Sequence, residues 1–261
     1  LAPSEFEPAL MELIAPWLGS EKMLVVACGM VGSRQGWAEA KYAQAPSQPL
    51  TQALAEAPTH DSRISVRIVP GIRQNAPPDV MRGEETQIAG FLRLFPEFDG
   101  VLCLPGTHTK WVHISAGEVV SFRTFMTGEL FSLLSERSVL RHSVTDGWDE
   151  DAFVEAVSES MSKPEAIAAR LFSLRADDLL NATGSAKLKA RLSGYLIGAE
   201  LAGARPYWLG QNVALIGASA LCKTYAAALA QQGLEAHILD GTKATQAGLA
   251  AARDLLEETV T

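Results

Sequence analysis

Cysteine is scarce: Cys28, Cys103 and Cys222 are the only three in 261 residues. They lie far apart, each within an apolar run and without CxxC spacing, which argues against a disulfide framework or a thiolate zinc site and predicts buried thiols in a reducing cytoplasm. Long apolar runs are missing too. No stretch approaches the roughly 20 residues of a membrane span, and no basic-then-apolar segment opens the chain, so neither a membrane partner nor an export signal is expected. Basic residues are in deficit, with 22 Lys and Arg against 30 Asp and Glu and a formal charge of −8. That balance excludes a broad nucleic-acid surface, and an anionic ligand has to be held locally, by backbone N–H groups or a few cations. Neither a GxxxxGK[ST] loop nor a complete dinucleotide fingerprint occurs. The chain opens at Leu1 rather than at a methionine, and we expect its original start to be missing.

What is present alternates between strand-like and helical patterns. Ser4 and Glu7 form a capping box ahead of Leu10, Leu13, Ile14 and Trp17, which predicts an amphipathic helix over 5–18. "MLVVACGMVGSRQGW" reads as a strand running into a glycine-rich loop, residues 40–62 as an irregular surface excursion, and "ISVRIVPG" as a strand. "IRQNAPPDVMRGEETQ" reads as loop, and "EETQIAGFLRLF" as a helix from Glu84. Three short strands follow, "GVLCLPG", "TKWVHIS" and "EVVSFRTF", an antiparallel meander punctuated by Gly106 and by Ala116-Gly117. A helix begins at Thr127, residues 149–205 are mostly helical, and "NVALIGASA", "EAHILD" and the final helix close the chain. The pattern is α/β, with a boundary near residue 92 that gives domains 1–91 and 92–261.

Several short constellations carry candidate chemistry. In "PGTHTKW" a Gly-Thr turn between antiparallel strands directs backbone N–H groups into a concavity suited to an anion, with Thr109 and Lys110 close by; an ordinary solvated hairpin explains the same letters. His108 makes a poor metal ligand, since His113 points to the opposite face of the strand. "LIGASALC" places Gly217, Ala218 and Ser219 where a buried strand meets a helix N-terminus, a crossing at which α/β sheets bind ligands or merely pack tightly. Glu84 and Glu85 stand in the first turn of a helix, where carboxylates offset the helix dipole or, at a domain boundary, take a proton from a substrate hydroxyl. Arg34, Gln35 and Trp37 lie on a glycine-flexible loop after a strand, a place to bind a polyhydroxylated acid, although a plain loop explains the spacing equally well. Arg123, Thr127 and Glu129 fall where a strand turns into a helix, and the small residues of "GTKATQAGLAAA" suit close helix packing.

Taken together, "CGMVGSRQGW", "VMRGEETQ", "LPGTHTKWV", "FRTFMTGELFSLL", "LIGASALC" and "GTKATQAGL" resemble, in this order and over nearly the whole chain, the 2-dehydro-3-deoxygalactonokinase family of actin/hexokinase-type sugar kinases. The resemblance implies two ribonuclease-H-like (actin/hexokinase-type ATPase) domains with an interdomain cleft, closing over ATP and a sugar. It implies transfer of phosphate from ATP, with Mg²⁺, to the 6-hydroxyl of 2-dehydro-3-deoxy-D-galactonate in D-galactonate degradation. Gly106 and Thr107, with Thr109 and Lys110, would then form the second phosphate hairpin, and Gly217, Ala218 and Ser219 the adenosine motif. Glu85 or Glu84 would be the catalytic base; Arg34, Gln35 and Trp37 would contact the sugar acid, and Arg82 and Arg123 would pair its carboxylate. A cytoplasmic enzyme is implied, with a homodimer as a candidate assembly. The family opens with an Asp-Trp-Gly-(Ser/Thr)-Thr-Asn motif that this sequence lacks, so the N-terminal domain is expected to be truncated. The alternatives are another sugar-acid kinase of the same superfamily, or a non-catalytic nucleotide- or sugar-binding regulator without the first phosphate loop.

Overall fold

Helix α1 (Phe6–Ile14) leads into strand β1 (Met23–Ala27), two-residue strands β2 (Ala43–Gln44) and β3 (Ala55–Glu56), and β4 (Ile64–Ile68). Then come β5 (Ile72–Asn75), β6 (Pro78–Met81), α2 (Glu84–Leu94), and the series β7 (Gly100–Leu104), β8 (Thr109–Ser115) and β9 (Glu118–Phe125). Helices α3 (Thr127–Arg137), α4 (Glu150–Ser162), α5 (Ile167–Asn181), α6 (Ser185–Gly203) and α7 (Arg205–Trp208) precede β10 (Val213–Gly217), α8 (Ser219–Ala230), β11 (His237–Asp240) and α9 (Gly241–Glu258). This computed structural model describes residues 1–258. The architecture is mixed α/β. Among the described residues no helix is long and apolar enough to cross a membrane.

The chain divides into two compact units. The first is Leu1–Asp99 with His113–Phe122 and Asp240–Thr261, and the second is Gly100–Val112 with Arg123–Leu239. This differs from the expected division into 1–91 and 92–261, because the last helix returns to the first unit. In that unit β1 runs parallel to β4, from Met23 opposite Ile64 to Ala27 opposite Ile68, and β3 covers the other edge of β4 in antiparallel sense. Ile64, Val66 and Ile68 alternate inward and are buried. The segment read as loop after Pro70 is a hairpin: β5 pairs with β6 from Ile72 opposite Met81 to Asn75 opposite Pro78. Consecutive prolines read as loop, yet Pro78 is the first residue of its strand, a position where a missing N–H is tolerated. The capping box of α1 is not formed either. Glu7 instead accepts hydrogen bonds from the backbone N–H groups of His60 and Asp61, which hold its carboxyl below the usual range, while Leu13 and Trp17 are exposed.

Helices α2 and α9 of the first unit approach at backbone distance. A Cβ on Gly90 would lie 1.8 Å from the Ala244 carbonyl oxygen, and one on Gly248 would lie 1.9 Å from that of Thr86. Only glycine fits such a crossing, which accounts for the small residues of the last helix. In the second unit β10 runs parallel to β7, with Val213 opposite Val101 and Leu215 opposite Cys103. These two strands are the middle of a sheet of order β11-β10-β7-β8-β9. Every residue of β7 is buried, and Phe153, Ile197, Leu201, Tyr225 and Leu229 pack with Val101, Cys103 and Trp111 into one core. Ala116 and Gly117, both at positive φ, make the two-residue turn between β8 and β9. Cys103 and Cys222 are buried thiols, and Cys28 is half-buried.

Substituting Gly248 by Ala should lower stability by about 1–3 kcal/mol through overpacking, despite the better helix propensity of alanine. Gly19→Ala, where a Cβ meets nothing within 4 Å, should change it by less than about 0.5 kcal/mol. Urea-unfolding midpoints compare the two, and equal midpoints would contradict the close crossing.

Candidate functional site

Two turns of the second unit lie at the carboxyl ends of parallel strands, where α/β sheets bind ligands. The first follows β7: Pro105 is buried, Gly106 half-buried, and Thr107 and His108 exposed. A Cβ on Gly106 would meet nothing within 4 Å, so the turn faces open space. It is tied from behind, since the Thr107 carbonyl accepts the Glu129 N–H at 2.9 Å and His108 Nε2 lies 2.5 Å from Glu129 Oε2. Gly128 has to be glycine here, because its Cβ would fall 2.3 Å from the Gly106 carbonyl oxygen. The second turn follows β10: Ala218 and Ser219 are exposed, and α8 starts with no side-chain cap, leaving its first N–H groups for water or a ligand. The two turns are neighbours, as a Cβ on Gly217 would lie 3.3 Å from the Pro105 carbonyl oxygen.

Beside them is a cavity of about 330 Å³, lined by Gly106 and Gly128 and walled by Phe131, Trp148, Leu196 and Leu221, with Ser193 and Thr224 hydroxyls among them. Its size and mostly apolar wall suit a planar heterocycle. Of the four residues expected around the hairpin, the structure brings Gly106 and Thr107 to the open turn. Thr109 and Lys110 are buried in β8, a strand covered on both faces.

Behind this wall sits a carboxylate that sequence reasoning missed. Glu200 of α6 is 3% exposed and accepts hydrogen bonds from Trp111 Nε1 and Tyr225 OH, each at 2.8 Å, and from the Thr127 hydroxyl. Thr109 Oγ1 lies 3.0 Å from Tyr225 OH. Burial pushes the Glu200 carboxyl up to about 7, against these hydrogen bonds, which pull the other way.

In the first unit Glu85 and Glu84 open α2 after Gly83, whose φ of +108° only glycine adopts readily. Glu85 is fully buried; it accepts the Gly83 N–H at 2.7 Å and the Thr86 hydroxyl at 3.1 Å, and burial raises its carboxyl to about 7. Glu84 is half-buried and accepts the Arg82 N–H at 2.9 Å. Adjacent side chains on a helix diverge, and burial separates this pair. Cys28, at the end of β1, is hydrogen-bonded to Thr86, and burial raises its thiol. The Arg82 guanidinium stacks 4.3 Å from the Tyr42 ring centroid and donates from Nη2 to the Ala40 carbonyl, while Nε and Nη1 are buried without a hydrogen-bond partner. Arg34 and Gln35 are exposed, with Arg34 3.8 Å from Glu39. Trp37 is instead packed inside, stacked on Phe6 and donating from Nε1 to the Pro58 carbonyl, so its indole N–H is already used. Arg123 is exposed on β9 in the second unit. Among the described residues no group of three or more His, Cys, Asp or Glu side chains converges as a metal site.

The model of one protein family, 2-keto-3-deoxy-galactonokinase, matches residues 1–252. The chain belongs to this family. Among its relatives is the probable 2-dehydro-3-deoxygalactonokinase DgoK1 of Rhizobium meliloti (strain 1021), 40% identical over 87% of this chain and 77% of that protein. Another is the 2-dehydro-3-deoxygalactonokinase of Escherichia coli (strain K12), 34% identical over 92% of this chain and 81% of that protein. A crystal structure from Sinorhizobium meliloti, provisionally named a 2-dehydro-3-deoxygalactonokinase, superposes with a TM-score of 0.89 at 38% identity, covering 95% of this chain and 84% of that one. The resemblance read from the six sequence motifs holds.

This 2-keto-3-deoxy-galactonokinase family chain has an open turn beside an apolar cavity, and the residues behind that pairing were the hardest to read. Glu200 had one signal: it is the lone charge in the apolar helical run "LIGAELAGA", where an unpaired carboxylate would be costly. Thr127 had only its place where a strand turns into a helix, and Tyr225, which also lines the cavity, had none.

Glu200 and Glu85 both bind protons more tightly folded than unfolded. Their stabilising contribution is full below about pH 4.5, the ordinary glutamate value, and is lost as pH rises through about 7. The melting temperature should therefore fall between pH 5 and pH 7.5, by on the order of 3 kcal/mol of stability from each carboxyl. Thermal scans of Glu200→Gln should show a shallower fall, and an identical slope would contradict the assignment.

Proposed function

We propose that the chain phosphorylates the 6-hydroxyl of 2-dehydro-3-deoxy-D-galactonate with ATP, in the degradation of D-galactonate, and that its two units are the two ribonuclease-H-like domains of an actin/hexokinase-type kinase. The observation that carries this reading is the meeting, within one unit of a galactonokinase-family chain, of the Gly106–Thr107 turn and the uncapped start of α8 at the edge of one apolar cavity. The cavity receives the base, Gly217, Ala218 and Ser219 flank it, and the backbone N–H groups of Gly106 and Thr107 donate to phosphate oxygens. Thr109 and Lys110 support the turn from within β8. Mg²⁺ would enter as part of the substrate MgATP, where it would neutralise phosphate charge.

Phosphoryl transfer asks little covalent work of the protein, so positioning and charge neutralisation carry the rate. Glu85 is the base we assign, and Glu84 its neighbour. A base poised near neutrality combines the ionised form with a useful proton affinity, and burial provides that poise. Arg82 is the partner we assign to the sugar acid's carboxylate, since Nε and Nη1 have no protein acceptor. Exposed Arg34 and Gln35 contact the sugar's hydroxyls, Trp37 braces their loop from the core, and Arg123 is a second cation for the acid.

A coupled assay with ATP and 2-dehydro-3-deoxygalactonate should show ADP release that requires both substrates; a folded, ATP-binding protein with no turnover would instead be a regulator. For the base, Glu85→Gln should lower kcat by about 100-fold or more, and Glu84→Gln by no more than about threefold. A base acts as its carboxylate, so wild-type kcat should rise as pH increases through about 7. That limb should vanish in Glu85→Gln, and equal mild effects of both substitutions would remove both residues from the role.

A further inference from the structure

We propose that Glu200 is a positioning residue for the nucleotide: it holds the cavity wall in register with the phosphate turn, so that ring and phosphates are engaged together. The inference rests on the kinase reading and goes beyond it, because Glu200 touches neither the cavity nor the turn.

Its three hydrogen-bond donors come from three elements. Trp111 belongs to β8, the strand that leaves the turn; Thr127 is the first residue of α3, and Tyr225 lies on α8. Thr127 and Tyr225 also line the cavity. An ionised carboxylate only accepts, so Tyr225 donates to it and the Tyr225 oxygen is left to accept from Thr109, the first residue of β8. The cavity wall is thus joined through one side chain, by buried hydrogen bonds, to Thr109 and Trp111 of β8, the strand that leaves the turn. The bonded residues are all nine-tenths buried or more: Thr109 and Trp111 are 0% exposed and Thr127 is 8% exposed. From the outside the same wall and turn are joined by Gly128, whose Cα faces the Gly106 carbonyl. A shift of α8 or α3 that reshapes the ring pocket is therefore transmitted to Gly106 and Thr107.

Glutamine at this position keeps the volume but has one acceptor oxygen and one donor amide, so it cannot accept from Trp111 on one side and from Thr127 and Tyr225 on the other. The test compares binding of adenosine, which reaches only the cavity, with binding of ATP, which reaches cavity and turn, by calorimetry on wild type, Glu200→Gln and Tyr225→Phe. In Glu200→Gln the advantage of ATP over adenosine should shrink by about tenfold or more, the worth of a hydrogen bond to a charged group, with adenosine affinity within about threefold of wild type. KM for ATP should rise in the same proportion, and KM for the sugar acid should not move. Tyr225→Phe, which deletes one hydroxyl and answers the question if Glu200→Gln does not fold, should shift the ratio in the same direction. Equal weakening of ATP and adenosine, or a lower melting temperature with the ratio intact, would make Glu200 purely structural and overturn the proposal alone. A wild-type protein that binds neither ligand would overturn the kinase reading, and the proposal with it.

Discussion

Because β10 runs parallel to β7, with Leu215 opposite Cys103, both strands deliver the turns that follow them to the same edge of the sheet. The Gly106 turn and the start of α8 then become neighbours although more than a hundred residues separate them in the chain. An antiparallel pairing would have sent one of them to the far edge. The close contact of Gly217 with Pro105 records how little space is left between the turns, and the small residues after β10 follow from it. The rest of the site is built around this edge: α3, α6 and α8 supply the cavity wall, and Glu200 of α6 sits behind it.

The same physical tension recurs in both units. Glu85 and Glu200 are each withdrawn from water, and in each the cost of burying charge outweighs several hydrogen bonds to the carboxylate, raising it to about 7. Their settings differ in what surrounds them. Glu85 is held by the backbone of its own helix turn and one hydroxyl. Glu200 is surrounded by donors from other elements, Trp111, Thr127 and Tyr225, and its lone pairs are taken up in holding them together.

Much of the site was legible in the primary structure because its parts are local. The Pro-Gly-Thr turn lies between two short strands, and the strand-to-helix crossing at Gly217 shows as an apolar run broken by small residues. The helix from Glu84 follows from periodicity after Gly83. What misled were features whose meaning depends on a distant partner. Trp37 sits on a glycine-rich loop that reads as a binding surface, but Phe6 and Pro58 claim both its ring and its N–H. Ser4 and Glu7 have the spacing of a capping box, but Glu7 is drawn to the backbone of His60 and Asp61. Thr109 and Lys110 are polar letters next to a turn, yet burial on both faces of β8 turns them inward.

The sequence by itself determined the family, the α/β class, and the turn and helix-start segments, since these rest on motif order, hydrophobic period and turn chemistry over a few residues. Tertiary structure alone decided which side chains share a site: that α9 returns to pack on α2, that Glu85 rather than Glu84 is wholly buried, and that Glu200 gathers three elements behind one cavity. The reason is physical. Hydrophobic period and turn preference act over a few residues and leave a local signature. Desolvation and hydrogen-bond satisfaction depend on everything that surrounds a group, and those surroundings exist only once remote segments have met.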